Sequence, residues 1–295
     1  MRDKPELSLM VINLLASVFM DEHFQPRESA DPDDYDRILQ IAEDAGYCAV
    51  DITDMENDLF GTDAVGRMLE KHHLSVGSII MFENYAADDE KEQERVCAHT
   101  FRAIDHAAGL GSHTLMLVCA GAQPGKKKEE LRDSIAVNMS RAVRYASDKG
   151  VSVCIEDFPS LQIPMCSIED IRYLLDNVPG LKLVYDTANM LVENDSPAEF
   201  FDTLKDRIGY CHLKDVRIAP ADYPAGDTMY DGRKMITTYH GKGIIDLKDA
   251  VRRLVQAGYN DYMSVEYCAD PADEDVLSVV RCEREYLEGL MKEIS

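Results

Sequence analysis

Apolar runs of five to eight residues alternate with segments of helical period along the whole chain. The runs are LMVINLL (9–15), CAVDI (48–52), LSVGSIIM (74–81), HTLMLVCA (113–120), VSVCIE (151–156), LKLVYD (181–186), IGYCHLK (208–214) and YMSVEY (262–267). Each is followed by a predicted helix, over 33–47, 62–73, 90–111, 127–150, 167–178, 196–207, 246–259 and 274–294. In the third helix Cys97, Phe101, Ile104 and Ala108 recur at spacings of four, three and four, which is one helical face. Ser167 and Ser196-Pro197 suit helix starts, and Gly46, Gly111, Gly150, Gly180 and Gly258 suit helix ends. The runs are nearly continuous in apolar residues, the pattern of strands covered on both faces. Eight β-then-α units predict a parallel (β/α)8 barrel, an α/β fold forming one domain over residues 1–295. A doubly wound open sheet would carry a glycine-rich turn after the first strand, and NLLASVF has no glycine there.

In such a barrel the chemistry sits at the C-terminal ends of the strands. The last four strands end in Glu156, Asp186, His212 and Glu266. Taken singly, each has an ordinary reading: a salt-bridged loop acid for Glu156, an N-cap for Asp186, a core histidine for His212, a lysine-paired acid for Glu266. Taken together, three carboxylates and an imidazole on four successive strands favour a shared divalent cation, because the carboxylates would otherwise repel and protonate. Mostly hard ligands suit Mn2+, Mg2+ or Co2+ better than a structural zinc, with Mn2+ the first expectation. Asp157, by strand alternation, is expected to point away from the barrel mouth and to be secondary.

The net charge of −24, with 55 acidic against 31 basic residues, opposes nucleic-acid binding. The eight cysteines show no zinc or disulfide spacing, so a reducing, cytoplasmic setting is expected. The apolar N-terminal run is interrupted by Asn13 and followed by Asp21-Glu22, which favours a buried strand over a signal peptide. GAQPGKK (121–127) has the wrong spacing for a phosphate-binding loop. His72, His73, His99 and His106 are expected on solvated surface.

The strings IEDFP, VYDTANM, CHLKDVR, HGKGIID and MSVEY, in that order, resemble the sugar phosphate isomerase/epimerase superfamily of xylose isomerase-like barrels. The group includes ketose 3-epimerases, hydroxypyruvate isomerase and inosose dehydratase. The resemblance implies that Glu156, Asp186, His212 and Glu266 hold one divalent metal and that Glu156 and Glu266 are the acid–base pair. It implies an isomerase or epimerase of a small polyhydroxy carbonyl substrate, working through a metal-stabilised enediolate. The alternative in the same fold is a lyase, an inosose-type dehydratase or a C-glycoside deglycosylase subunit, and HLKDVR is especially similar to the dehydratase branch. Two positions depart from the ketose 3-epimerase pattern: Asn189 stands in place of a histidine, and Gln162 in place of a glutamate. Asn189, Lys214, Arg217 and His240 are the candidate substrate-binding residues, with the glycines of HGKG allowing close backbone approach. The expected partner is a sugar or polyol ketone, with no membrane and, by analogy, a homo-oligomer of two or four chains.

Overall fold

The computed structural model describes residues 4–14, 30–119, 125–266 and 275–294. Strands β2 (Ala49–Thr53) and β4 (Thr114–Cys119) are buried at every position, as their unbroken apolar runs require. With β1 (Glu6–Met10), β3 (Ser75–Glu83), β5 (Ser152–Glu156), β6 (Lys182–Asp186), β7 (Ile208–Leu213) and β11 (Tyr262–Val265), they close a barrel in the order β1-β11-β7-β6-β5-β4-β3-β2. All pairings in it are parallel, and β1 closes the ring against β11 through Leu7 opposite Met263 and Leu9 opposite Val265. The (β/α)8 expectation therefore holds.

The outer layer comprises α1 (Pro32–Ala45), α2 (Asp54–Phe60), α3 (Thr62–Lys71), α4 (Glu90–Gly109), α5 (Lys128–Ala146), α6 (Ile168–Asn177), α7 (Pro197–Leu204), α8 (Leu247–Gln256) and α9 (Val276–Ile294). Ser167 and Ser196 cap α6 and α7 by accepting backbone N–H bonds, as their positions predict. Gly46 ends α1 at φ 91°, where a side chain would be strained.

Three features depart from the sequence expectation. The first strand lies at Glu6–Met10, and residues 12–14 have already turned helical. Helix α2 was not expected, because MENDLF is too short to show a period. Its signal was the capping box: Glu56 accepts the Thr53 N–H and hydroxyl, the S/T-x-x-E pattern. Between β7 and α8 stands an antiparallel sheet of β8 (Asp215–Ala219), β9 (Asp227–Thr228) and β10 (Lys234–Thr238), in the order β8-β10-β9. It buries Val216, Met229 and Met235 against Cys166, Ala188 and Val192.

Two histidines expected at the surface are engaged. His72 is 1% exposed, with Nδ1 3.0 Å from Glu43 and Nε2 3.0 Å from Asp36, so it ties α3 to α1. His99 is held among acids, whereas His73 is exposed and His106 half-buried. A hydrophobic face count misses such pairs, because ring nitrogens buried against carboxylates leave no periodic mark. Cys119, Cys154 and Cys211 are buried thiols, as their apolar surroundings predict. Part of GAQPGKK (121–124) and the 15–29 segment lie outside the described residues.

Candidate metal centre

Parallel pairing aligns the ends of four neighbouring strands. Asp186 stands opposite His212 on β6 and β7, and Glu156 opposite Val184. Glu266 follows β11 directly, and its backbone N–H donates to the Leu213 carbonyl at 3.0 Å. One ligand atom from each of Glu156, Asp186, His212 and Glu266 lies within 4.8 Å of the others. The four residues expected to act together therefore converge.

The single-residue readings of Asp186, His212 and Glu266 each have a counterpart in the structure. Asp186 does cap a turn: Oδ1 accepts the N–H groups of Ala188 at 2.7 Å and Asn189 at 2.8 Å. Its Oδ2 is buried with no partner. His212 is a fully buried histidine whose Nδ1 lies 2.6 Å from Glu156 Oε1, but Nε2 is buried and unpartnered. Glu266 does pair with a lysine, Lys214, at 2.6 Å. Two orphaned buried atoms beside two more carboxylates fit a divalent cation, since orphaned buried polar groups are costly and rare. The donor set, three carboxylates and one imidazole, suits such an ion.

The electrostatics point the same way. Burial, with the charges of Glu266 and Glu156, pushes the Asp186 carboxyl up to about 8. Burial opposes the charge of His212, but Glu156, Glu266 and Asp186 outweigh it and lift the imidazole to about 9. The neighbouring carboxylates thus hold protons on Asp186 and His212 that a cation would displace.

Asn189 and Lys214 join the cluster. Lys214 Nζ donates to Asn189 Oδ1 at 3.1 Å, and the Lys214 backbone is gripped by the Thr187 hydroxyl at 2.7 and 2.8 Å. Burial works against the Lys214 charge, but Glu266, Asp186 and Glu156 hold it above the usual lysine range. Arg217 does not join it: the side chain is exposed on β8 and donates to the Tyr223 hydroxyl at 2.9 Å. His240 is buried with both nitrogens engaged, one by Glu283 and the other by the Leu213 carbonyl at 2.8 Å, so it braces the end of β7. The HGKG turn closes on Asp215. Asp215 accepts the N–H groups of Gly241, Gly243 and Ile245 at 2.9, 2.9 and 3.1 Å. A Cβ at Gly243 would run into that carboxylate.

Asp157 is closer to the centre than expected. It is fully buried and accepts the Asp186 N–H at 3.1 Å. Burial, then Asp186 and Glu156, raise its pKa well above the carboxylate range. The signal was the doublet Glu156-Asp157 itself: two acids ending one buried strand place one on each face. The cavity of about 180 Å³ at the mouth is lined by Glu156, Asn189, Lys214 and Glu266. Met10, Ile80, Met116, Val118 and Phe158 line it as well.

Residues 39–287 match the sequence profile of the family described as xylose isomerase-like TIM barrel. The chain belongs to this family. Among relatives of this xylose isomerase-like barrel, an inosose dehydratase from Klebsiella pneumoniae (strain 342) is 30% identical over 162 residues, 52% of this chain and 53% of that protein. A fructoselysine 3-epimerase from Shigella flexneri is 25% identical over 167 residues, 56% of this chain and 55% of that one. The chain spans about half the length of the curated relatives it matches. A xylose isomerase-like TIM barrel protein from Mycobacterium smegmatis in complex with magnesium superimposes with a TM-score of 0.74 at 17% identity, covering 99% of this chain and 98% of that one. At that identity the likeness is one of fold. No described helix is long and apolar enough to cross a membrane.

Proposed function

We propose that this xylose isomerase-like barrel is a divalent-cation-dependent enzyme that moves a proton next to the carbonyl of a small polyhydroxy ketone, as an isomerase or epimerase. The observation that carries the reading is the pair of buried, unpartnered atoms, Asp186 Oδ2 and His212 Nε2, between two glutamates. The cation, Mn2+ as first choice and Mg2+ or Co2+ as others, supplies a Lewis acid that stabilises negative charge on adjacent substrate oxygens. Asp186 and His212 hold it, with Glu156 and Glu266.

Glu156 and Glu266 enter from β5 and from the end of β11, with β6 and β7 between them in the ring. A substrate lying between them meets a carboxylate on each side, one to take the proton and one to return it. Return to the opposite face of the same carbon epimerises; return to the neighbouring carbon isomerises. Lys214 and Asn189 bind substrate oxygen beside Glu266. The apolar side chains of the mouth keep water from the reacting carbon.

A second reading, dehydration, is favoured by Lys214. An ammonium buried beside Glu266 stabilises an oxygen as it departs, and the match to inosose dehydratase supports the same outcome. The setting in this proposal is a reducing cytoplasm, consistent with seven free thiols among the described residues, and the working form is a homo-oligomer.

Incubation of ketoses, ketose derivatives and inososes in D2O with Mn2+, Mg2+ or Co2+, followed by mass spectrometry, tests this. Deuterium incorporation with unchanged composition identifies an isomerase or epimerase. Loss of one water identifies a dehydratase. No cation-dependent exchange on any of these substrates sinks both.

A further inference from the structure

On the rim opposite the ligand-bearing strands, a second set of donors faces one point. His99 on α4 presents Nε2 to Asp54 Oδ2 at 2.8 Å and to Asp58 Oδ2 at 3.2 Å, both on α2. Its Nδ1 meets Glu83 Oε1, at the end of β3, at 2.7 Å. One donor atom from each of Asp54, Asp58 and His99 lies within 4.8 Å of the other two.

A separate observation points to a ligand there. Asp54, Asn57 and Asp58 occupy positions i, i+3 and i+4 of α2 and so share a helical face. Asn57 is 3% exposed, and neither its amide oxygen nor its amide nitrogen has a partner. A buried primary amide normally satisfies both groups.

We propose that Asp54, Asp58 and His99, with the amide oxygen of Asn57, form a second divalent-cation site that fastens α2 to α4 behind the barrel mouth. Zn2+, which accepts imidazole nitrogen and carboxylate oxygen, serves as the probe ion. Glu83 receives the other ring N–H and fixes the imidazole, the arrangement that orients metal-bound histidines. Arg95 pairs with both Glu83 oxygens at 2.7 and 2.6 Å, so Glu83 is already balanced. That leaves Asp54 and Asp58 sharing one imidazole. An imidazolium leaves one negative charge over, and a divalent cation leaves none. The site is reachable, because the Asp58 side chain is 45% exposed and that of His99 is 19% exposed. Without the ion, hydrogen bonds to Asp54 and Glu83 lift His99 to about 10. Zinc binding therefore breaks the Nε2–H bond, forms a Zn–N bond and releases one proton to solvent.

The test uses the full chain, stripped with chelator, titrated with Zn2+, desalted and counted by mass spectrometry. Wild type should retain about two zinc ions per chain and the Glu156→Gln/Asp186→Asn double variant about one, as two independent ligand sets require. Adding Asp58→Asn or His99→Gln to that double variant should remove the remaining ion. Glu83→Gln should weaken it by about 10- to 100-fold. Unchanged circular dichroism of the zinc-free variants excludes misfolding as the cause. A double variant that retains no zinc, or retains one that Asp58→Asn and His99→Gln leave in place, overturns the proposal.

Discussion

His212 Nδ1 lies 2.6 Å from Glu156 Oε1, and the opposite ring nitrogen, Nε2, is buried without a partner. The first contact sets the orientation of the ring. The second atom, like Asp186 Oδ2, is buried with no hydrogen-bond partner. A histidine oriented on one nitrogen by a carboxylate and open on the other has the form of a metal ligand.

Addition of Mn2+ to chelator-treated protein should raise the melting temperature, by roughly 2–4 °C per kcal/mol of binding free energy for a chain of this size. Asp186→Asn should remove most of that gain while lowering the stability of the cation-free protein little, because the Asp186 carboxyl is pushed up to about 8 and is largely protonated without the ion. Differential scanning calorimetry with and without Mn2+ measures both. An equal gain in the variant would separate Asp186 from the ion.

Glu156→Gln and Glu266→Gln should each reduce solvent-deuterium exchange into substrate by about 10²- to 10⁴-fold, the usual contribution of a positioned acid or base. Exchange followed by NMR checks this. Exchange retained in both variants would remove their assigned roles.

Lys214→Met separates the two outcomes of the chemistry. Lys214 sits 2.6 Å from Glu266 and 3.1 Å from Asn189. In a dehydratase the variant should lose water elimination by about 100-fold or more while deuterium exchange survives. In an epimerase there is no elimination to lose, and exchange and epimerisation should fall together. The unpaired Glu266 should also cost stability, on the order of 3 kcal/mol.

The His99–Glu83 contact predicts a pH profile for the zinc-free protein. Hydrogen bonds to Asp54 and Glu83 raise His99 to about 10, so its stabilisation is complete below its ordinary value and is lost as pH rises through about 10. Burial acts against the Glu83 charge, but His99 and Arg95 outweigh it and hold the carboxyl at about 2, so its share is lost as pH falls through about 2. His99→Gln should therefore cost most near neutral pH, roughly 2 kcal/mol for a charge-assisted bond, and progressively less toward pH 10. Urea unfolding at several pH values gives the comparison, and a cost independent of pH would refute the ion pair.

Gly243→Ala should destabilise the chain by about 1–3 kcal/mol or more, because the new Cβ meets the Asp215 carboxylate and the Val216 carbonyl. Gly289→Ala, in α9 with open space around it, should be neutral or stabilising by up to about 1 kcal/mol. Thermal melts of the two variants side by side provide the check.

The alternation of apolar runs and helical segments determined the barrel, because a strand covered on both faces needs an unbroken apolar run whatever its neighbours are. Strand ends are also local, so Glu156, Asp186, His212 and Glu266 were visible as candidate ligands, and parallel pairing carried them to one rim. What the chain alone left open were relations between distant segments. Which group the HGKG turn grips depends on which carboxylate arrives, and Asp215 lies 26 residues before Gly241. Whether Arg217 faces the site depends on a small sheet that turns it outward to Tyr223. Whether His99 is surface or clamp depends on Asp54, 45 positions earlier in the chain and brought to it by the packing of α2 on α4. Period and composition record how a residue meets water or the core. They do not record which polar group meets which, and in this barrel those meetings are made by tertiary packing.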